Sequence, residues 1–249
     1  MSKTEKSCSQ ISFPIKKPGP PKIWNVVEIK KDKTMKFSIQ EIPEDRYEEV
    51  VEHMCKYFIA DEPTCNFMNG KDDPEFVDTF RILWRDLLNE GLSVGAFIDD
   101  PNGGKPILAA ANMLTITSKD EKFDTNILKS KKAKDIMEAV LDLSKKANVF
   151  EKYGVDYYMN AFGLSVEPKY RGASLGAHLL NARTNIGREY KIPVTCTAFT
   201  SPISQKLAER CGFETLVEQD YDKIVDKNGK PIFRGIKVKD LKVMAKRLD

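Results

Sequence analysis

The chain has 249 residues, with 40 basic and 37 acidic side chains for a formal charge of +3, and 41% of its residues are apolar. Charges of both signs mixed through an ordinary apolar fraction describe a soluble globular protein and exclude a disordered or fibrous one. No apolar run is longer than Ile107 to Ala111, far short of the ~18 residues that cross a bilayer, so a membrane-spanning role is excluded.

Residues 1–36 hold nine lysines against three acids, whereas the rest of the chain holds 31 basic and 34 acidic groups. A slightly acidic body argues against a nucleic-acid surface. Pro14, Pro18, Pro20 and Pro21 bar helix and central strand, so residues 1–22 read as a flexible basic leader ahead of one domain over 23–249. The first ten residues carry no apolar signal core, which gives a cytoplasmic expectation. Short strands are expected at Trp24 to Ile29 and Phe37 to Ile42. After Pro43 the period lengthens: Tyr47, Val50, Val51, Met54 and Phe58 share a helix face that Asp61, Glu62 and Pro63 end. A second helix starts near Glu75, with Phe76, Phe80, Leu83, Leu87 and Leu88 on its stripe and Gly91 as its stop.

Leu92 to Ile98 and Ile107 to Thr117 read as a β-hairpin about a Gly- and Pro-rich turn. Residues 120–153 are lysine-rich with helical period and form an inserted helical segment. Tyr157 to Val166 is a long strand, Ser174 to Tyr190 a helix, Pro193 to Phe199 a strand, and Pro202 to Arg210 a helix capped by Ser201. Closing strands are expected at Thr215 to Asp222 and Phe233 to Met244, about a turn at Asn228 and Gly229. The fold class is therefore mixed α/β. Five cysteines (Cys8, Cys55, Cys65, Cys196, Cys211) without C-x-x-C spacing and two histidines give no metal site or disulfide framework.

Chemistry concentrates at Leu164-Ser-Val-Glu-Pro-Lys-Tyr-Arg-Gly-Ala-Ser-Leu-Gly-Ala177. A strand end, a turn and small residues precede a helix start there, which exposes main-chain N–H groups suited to a phosphate. Neither the P-loop nor the dinucleotide pattern fits, since no Gly-Lys-Ser/Thr follows and Gly172 and Gly176 are four apart.

Arg171-Gly-Ala-Ser-Leu-Gly176 resembles the R-x-x-G-x-G/A coenzyme A signature of the GNAT superfamily of N-acetyltransferases, with Ser174 where the first motif glycine stands. Phe58-Ile-Ala-Asp-Glu-Pro63 and Ser204-Gln-Lys-Leu-Ala-Glu-Arg-Cys-Gly-Phe213 are similar to blocks of the insect-type arylalkylamine N-acetyltransferases, and together the blocks span roughly residues 37–244. The resemblance implies a GNAT fold, a central mixed twisted sheet splayed between strands 157–166 and 193–199, with helices on both faces and the acyl thioester in the splay. It implies acetyl-coenzyme A as co-substrate, its arm on Leu164, Ser165 and Val166 and its diphosphate on Arg171, Gly172, Ala173, Ser174, Leu175, Gly176 and Ala177. The acceptor would be a small primary amine such as dopamine, serotonin, tyramine, octopamine or histamine, acted on by a monomer without metal.

By the same resemblance Glu62 is the general base, Ser204 the hydroxyl that meets the leaving thiolate, and Thr200 a second hydroxyl. Tyr57, Phe58, Phe67, Met113, Met159 and Phe199 are candidates to line an aromatic amine pocket. A dicationic amine such as agmatine would need a second carboxylate, from Asp72, Asp73 or Glu75. The same blocks would also suit a longer acyl-coenzyme A donor, or a protein that binds coenzyme A without catalysis. His53 reads as a surface or boundary residue. Cys196 and Cys211 read as small core residues, with an acetyl-cysteine intermediate as the less favoured route.

Overall fold

The computed structural model describes residues 15, 19–30, 34–121 and 123–248. Its first half runs β1 (Ile23–Lys30), β2 (Thr34–Glu41), α1 (Tyr47–His53), α2 (Ile59–Asp61), α3 (Pro63–Phe67), α4 (Pro74–Asn89), β3 (Val94–Ile98) and β4 (Ile107–Ser118). Then follow α5 (Lys131–Lys146), α6 (Val149–Tyr153), β5 (Tyr157–Val166), α7 (Leu175–Tyr190), β6 (Val194–Phe199), α8 (Pro202–Arg210), β7 (Glu214–Asp220) and β8 (Asp240–Arg247). Most of the leader expected over 1–22 lies outside the described residues. Within it, the Ile15 N–H donates to the Glu90 carbonyl at 2.8 Å and Lys22 pairs with Glu189 at 2.7 Å. Among the described residues no helix is long and apolar enough to cross a membrane.

The strands form one mixed sheet in the order β1-β2-β3-β4-β5-β6-β8-β7. Every neighbouring pair is antiparallel except β5 and β6, which meet in parallel at Met159 and Thr195 alone. Beyond that pair the two strands diverge, so the sheet is splayed where the sequence resemblance placed the opening. Helices cover both faces. On one, Trp84, Phe76 and Leu88 of α4 pack with Val50 and Val51 of α1 and Ile136 and Leu143 of α5. On the other, Leu179, Ala182 and Ile186 of α7 pack over Phe37, Val94 and Met159, and α8 adds a small core of Ala208 against Leu180, Phe199 and Phe213.

Two local departures from the sequence pattern shape the site. The helix face of Tyr47 to Phe58 is continuous, but Met54–Phe58 widens into a π-helical turn, an insertion that swings the residues after it. Then Pro63 excludes helical geometry at the residue before it, so Glu62 turns extended (φ −67°, ψ 127°) and becomes the N-cap of α3. A third departure concerns the last strand, which begins at Asp240 and not at Phe233. Alternation in Phe233, Ile236 and Val238 mimics a strand, yet Gly235 sits at φ 86° and Ile236 N–H donates to the Phe233 carbonyl, which closes a turn. Phe233 is buried all the same, 1% exposed.

β5 carries a bulge against β4: two steps from Asn112 to Leu114 match three from Leu164 to Ala161. The bulge contains Gly163 at φ 122°, where a Cβ would meet Met54 Cε at 2.7 Å and Phe58 Cε2 at 3.0 Å. The torsion is one that L side chains rarely adopt, and the Met54 methyl and the Phe58 ring would have to give way to a Cβ. Gly163→Ala is therefore expected to lower stability by about 1–3 kcal/mol in denaturant unfolding, and an unchanged midpoint would contradict the close packing.

Candidate active site

The stretch from Tyr57 to Cys65 straddles the ends of the two parted strands. Toward β5, the Tyr57 hydroxyl donates to Glu167 Oε1 at 3.1 Å, and Asp61 forms an ion pair with Arg171. Arg171 in turn donates from Nε to the Val166 carbonyl at 3.0 Å. Toward β6, Glu62 faces Tyr221, whose hydroxyl donates to the Thr200 carbonyl at 2.9 Å. Burial is the main reason that the Tyr221 hydroxyl is pushed far above the usual phenol range, with the Glu62 charge adding to it.

Glu62 is half-buried and held by one oxygen. Its Oε2 accepts from the Thr64 hydroxyl at 2.6 Å and the Cys65 N–H at 2.7 Å. Its Oε1 is buried with no hydrogen-bond partner among the described residues. A buried carboxylate oxygen left without a donor is costly, and it is the kind of atom a base presents to a proton-bearing ligand. The Cys65 thiol beside it is pushed well up, first by its burial and then by the Glu62 charge.

An aromatic wall stands next to this carboxylate. Phe67 meets Phe233 with ring centroids 6.1 Å apart, and Phe233 meets Tyr221 at 5.4 Å, both edge-on. Of the expected lining residues, Phe67 belongs here. Phe58 packs edge-on against Trp84 at 5.7 Å, Tyr57 leans on His53 at 5.0 Å, and Met113 is fully buried in the core under α4. Met159 and Phe199 are not brought to the wall: they point to the opposite sheet face, Met159 under α7 and Phe199 against Phe213 at 5.5 Å. Tyr221 and Phe233 lie outside the matched blocks, so the sequence marks them only as closing-strand residues and not as part of the wall.

The two candidate hydroxyls differ. Ser204 forms a reciprocal capping box with Ser201: its N–H donates to Ser201 Oγ at 3.1 Å and its Oγ accepts from the Ser201 N–H at 3.2 Å, while its own hydroxyl donates to the Ser201 carbonyl at 2.9 Å. The Thr200 side chain makes no hydrogen bond among the described residues, although its carbonyl is engaged. Of the carboxylates considered for a dication, Asp73 caps α4 and pairs with Lys132 at 2.8 Å, while Asp72 and Glu75 are exposed. Cys196 and Cys211 are buried, and burial pushes the Cys196 thiol up to about 12, which leaves no thiolate for acetyl transfer.

At the other end of the opening, the loop before α7 presents main-chain donors. Among the described residues the N–H groups of Gly172, Ala173, Ser174, Leu175 and Gly176 find no acceptor, and α7 behind them runs 16 residues. The helix dipole adds partial positive charge to that end. Gly176 permits close packing, since a Cβ there would meet Leu207 Cδ2 at 2.8 Å. Leu164 and Val166 lie on the β5 edge that leads to this loop, and Ser165 is buried.

Two measurements follow from this geometry. Ser174 sits in left-handed backbone (φ 55°) without a side-chain cap bond, a conformation that costs an L residue about 1–2 kcal/mol. Ser174→Gly should raise unfolding stability by up to about 1 kcal/mol and Ser174→Val should lower it, whereas the reverse order would refute the strain. His53, expected at the boundary, is buried at 6% exposure with Nε2 unpartnered, and burial drives its pKa from 6.5 down to about 4. Between those values the unfolded chain binds the extra proton, so the His53 contribution is full above pH 6.5 and declines by roughly 3 kcal/mol as pH falls to 4. Glu90, pushed up to about 7 by burial, titrates with the opposite sign. The His53 part is therefore read as the pH-dependent stability difference between the parent and His53→Gln, and a flat difference would contradict it.

No family model and no curated sequence matches the chain, and the likeness is carried by solved structures. A protein of the yellow fever mosquito Aedes aegypti assigned as arylalkylamine N-acetyltransferase 7 superposes with a TM-score of 0.84 at 30% identity, covering 92% of this chain and 96% of that one. Arylalkylamine N-acetyltransferase 2 of the same mosquito gives 0.74 at 24% identity over 86% and 99% of the two chains. The polyamine N-acetyltransferase of Drosophila melanogaster, which forms N-acetylagmatine, gives 0.72 at 16% identity over 85% and 99%. The second and third share the fold. The first, at 30% identity over 92% of the chain, places it in the GNAT superfamily, as a member of the insect arylalkylamine N-acetyltransferase family, and the splayed mixed sheet agrees with that fold.

Proposed function

We propose that the protein transfers an acetyl group from acetyl-coenzyme A to a small primary amine, and that the amine is an arylalkylamine such as dopamine, serotonin, tyramine, octopamine or histamine. The observation that carries this reading is the Glu62 carboxylate, fixed through Oε2 and left without a partner at a buried Oε1, beside the Phe67, Phe233 and Tyr221 rings. The mosquito relative assigned as an arylalkylamine N-acetyltransferase supports both the reaction and the acceptor class.

In this reading the diphosphate of the acyl donor lies on the N–H groups of 172–176, and its arm follows the β5 edge through Leu164 and Val166 into the splay. An amine with a pKa near 10.4 is almost wholly protonated at pH 7. Glu62 accepts that proton, directly or through water, and the freed nitrogen attacks the thioester carbonyl carbon. The N–C bond forms, the nitrogen of the tetrahedral intermediate gives up its second proton, the carbon–sulfur bond breaks with the electron pair leaving on sulfur, and that proton ends on the thiolate. Thr200, whose hydroxyl is not committed elsewhere among the described residues, is better suited than Ser204 to donate to that thiolate, because the Ser204 proton is held by the Ser201 carbonyl. The aromatic rings supply apolar area for an aryl group, and the commitment of Asp73 to Lys132 weighs against a dication reader at that position.

The test is a coenzyme A release assay over a panel of aryl, aliphatic and guanidino amines, with Glu62→Ala alongside. Turnover of an arylalkylamine should fall by about 10² or more in the variant while its acetyl-coenzyme A affinity stays within about twofold. Full activity in Glu62→Ala would remove that residue from the chemistry. Preference for agmatine or a polyamine would transfer the assignment to the dication reading.

A further inference from the structure

Behind the splay runs a buried polar chain that touches neither the aromatic wall nor the loop before α7. Arg183 of α7 is 1% exposed. Its Nε donates to Asn112 Oδ1 at 3.0 Å, and its Nη1 donates to the hydroxyls of Thr195 at 3.1 Å and Thr197 at 3.0 Å. All three acceptors are neutral, so the cation is buried without a carboxylate among the described residues, and desolvation pulls its pKa down to about 9. Such burial is retained at a cost, which asks what the guanidinium does there.

Asn112 of β4 is fully buried and donates from Nδ2 to the Gly163 carbonyl at 2.9 Å. On the opposite face of the sheet, Trp84 Nε1 donates to the Phe162 carbonyl at 2.8 Å. Both carbonyls of the β5 bulge are thus gripped, one from each face. A guanidinium has donors only, so it fixes which end of the Asn112 amide it meets, and the amide's own donors are left for Gly163. The next residue, Leu164, opens the strand edge that faces the splay.

We propose that Asn112, oriented by Arg183, is a positioning residue for the acyl donor: it locks the Gly163 bulge and so sets the line of the β5 edge from Leu164 to Val166. The inference rests on the acyl-transfer reading above.

Asn112→Asp is the discriminating variant. The carboxylate is the same shape and still accepts from Arg183, but it has no N–H for Gly163 and sets oxygen against oxygen there. Acetyl-coenzyme A affinity measured by calorimetry should weaken about tenfold, and the KM for the donor should rise with it, while the KM for the amine stays constant. Ser93→Ala is the control: it breaks another buried pair, between the Ser93 hydroxyl and the Leu114 main chain beside the bulge, but leaves the Gly163 and Phe162 carbonyls held, and donor affinity should not change. Should Asn112→Asp fail to fold, Arg183→Met removes the buried charge outright and should weaken donor binding in the same direction. A parent that binds acetyl-coenzyme A together with an Asn112→Asp or Arg183→Met protein that binds within about twofold of it overturns the proposal alone. Equal losses in Ser93→Ala also overturn it, as general loosening of the strand. No binding by the parent would remove the acyl-transfer reading and this proposal with it.

Discussion

Past Met159 and Thr195 the two parallel strands share no pairing, and this parting is what the rest of the molecule is arranged around. A sheet that leaves main-chain donors and acceptors unpaired in its middle needs something else to hold it, because unpaired buried peptide groups are costly. The restraint comes from both faces: Trp84 and Asn112 hold the bulged carbonyls of β5, and Arg183 ties β4 to β6 through Asn112, Thr195 and Thr197. The antiparallel neighbours β4 and β8 complete the frame by pairing along β5 and β6 on their outer edges.

Onto that frame the short segment from the π turn to α3 brings the charged groups. One extra residue in the helix and one proline decide where Asp61 and Glu62 face, so that Asp61 meets Arg171 while Glu62 caps α3. Capping fixes one carboxylate oxygen and leaves the other buried without a hydrogen-bond partner among the described residues. Local backbone chemistry thus generates the feature on which the functional reading rests, and the Asp61–Arg171 pair joins that segment to the loop before α7.

Much of this was legible in the sequence. Period-2 and period-3.6 patterns located nearly every strand and helix, and the parting of the strands at 157–166 and 193–199 followed from the family-like blocks, as did the positions of Glu62 and the Arg171 loop. Other features leave no pattern. The hydrophobic face runs unbroken through Met54 and Phe58, so periodicity cannot show a π turn. Phe233 alternates as strand residues do, and only Gly235 hinted at a turn. Arg183 shares the face of Leu179, Ala182 and Ile186 by its spacing, but its three neutral partners come from β4 and β6, far apart in sequence, and no pattern joins them. Met159 and Phe199 stand close to the motifs in sequence, but the two-residue period of a strand puts them on the face away from Glu62.

In the proposed reaction the N–H groups of residues 172–176 and the β5 edge at 164–166 receive the acyl donor. Amide hydrogen exchange with and without acetyl-coenzyme A reads those groups individually. Added donor should slow exchange at 172–176 and within 164–166, with smaller changes on β1 and β2 at the far edge of the sheet. Unchanged exchange at 172–176 in the presence of bound donor, or protection confined to another surface, would contradict it.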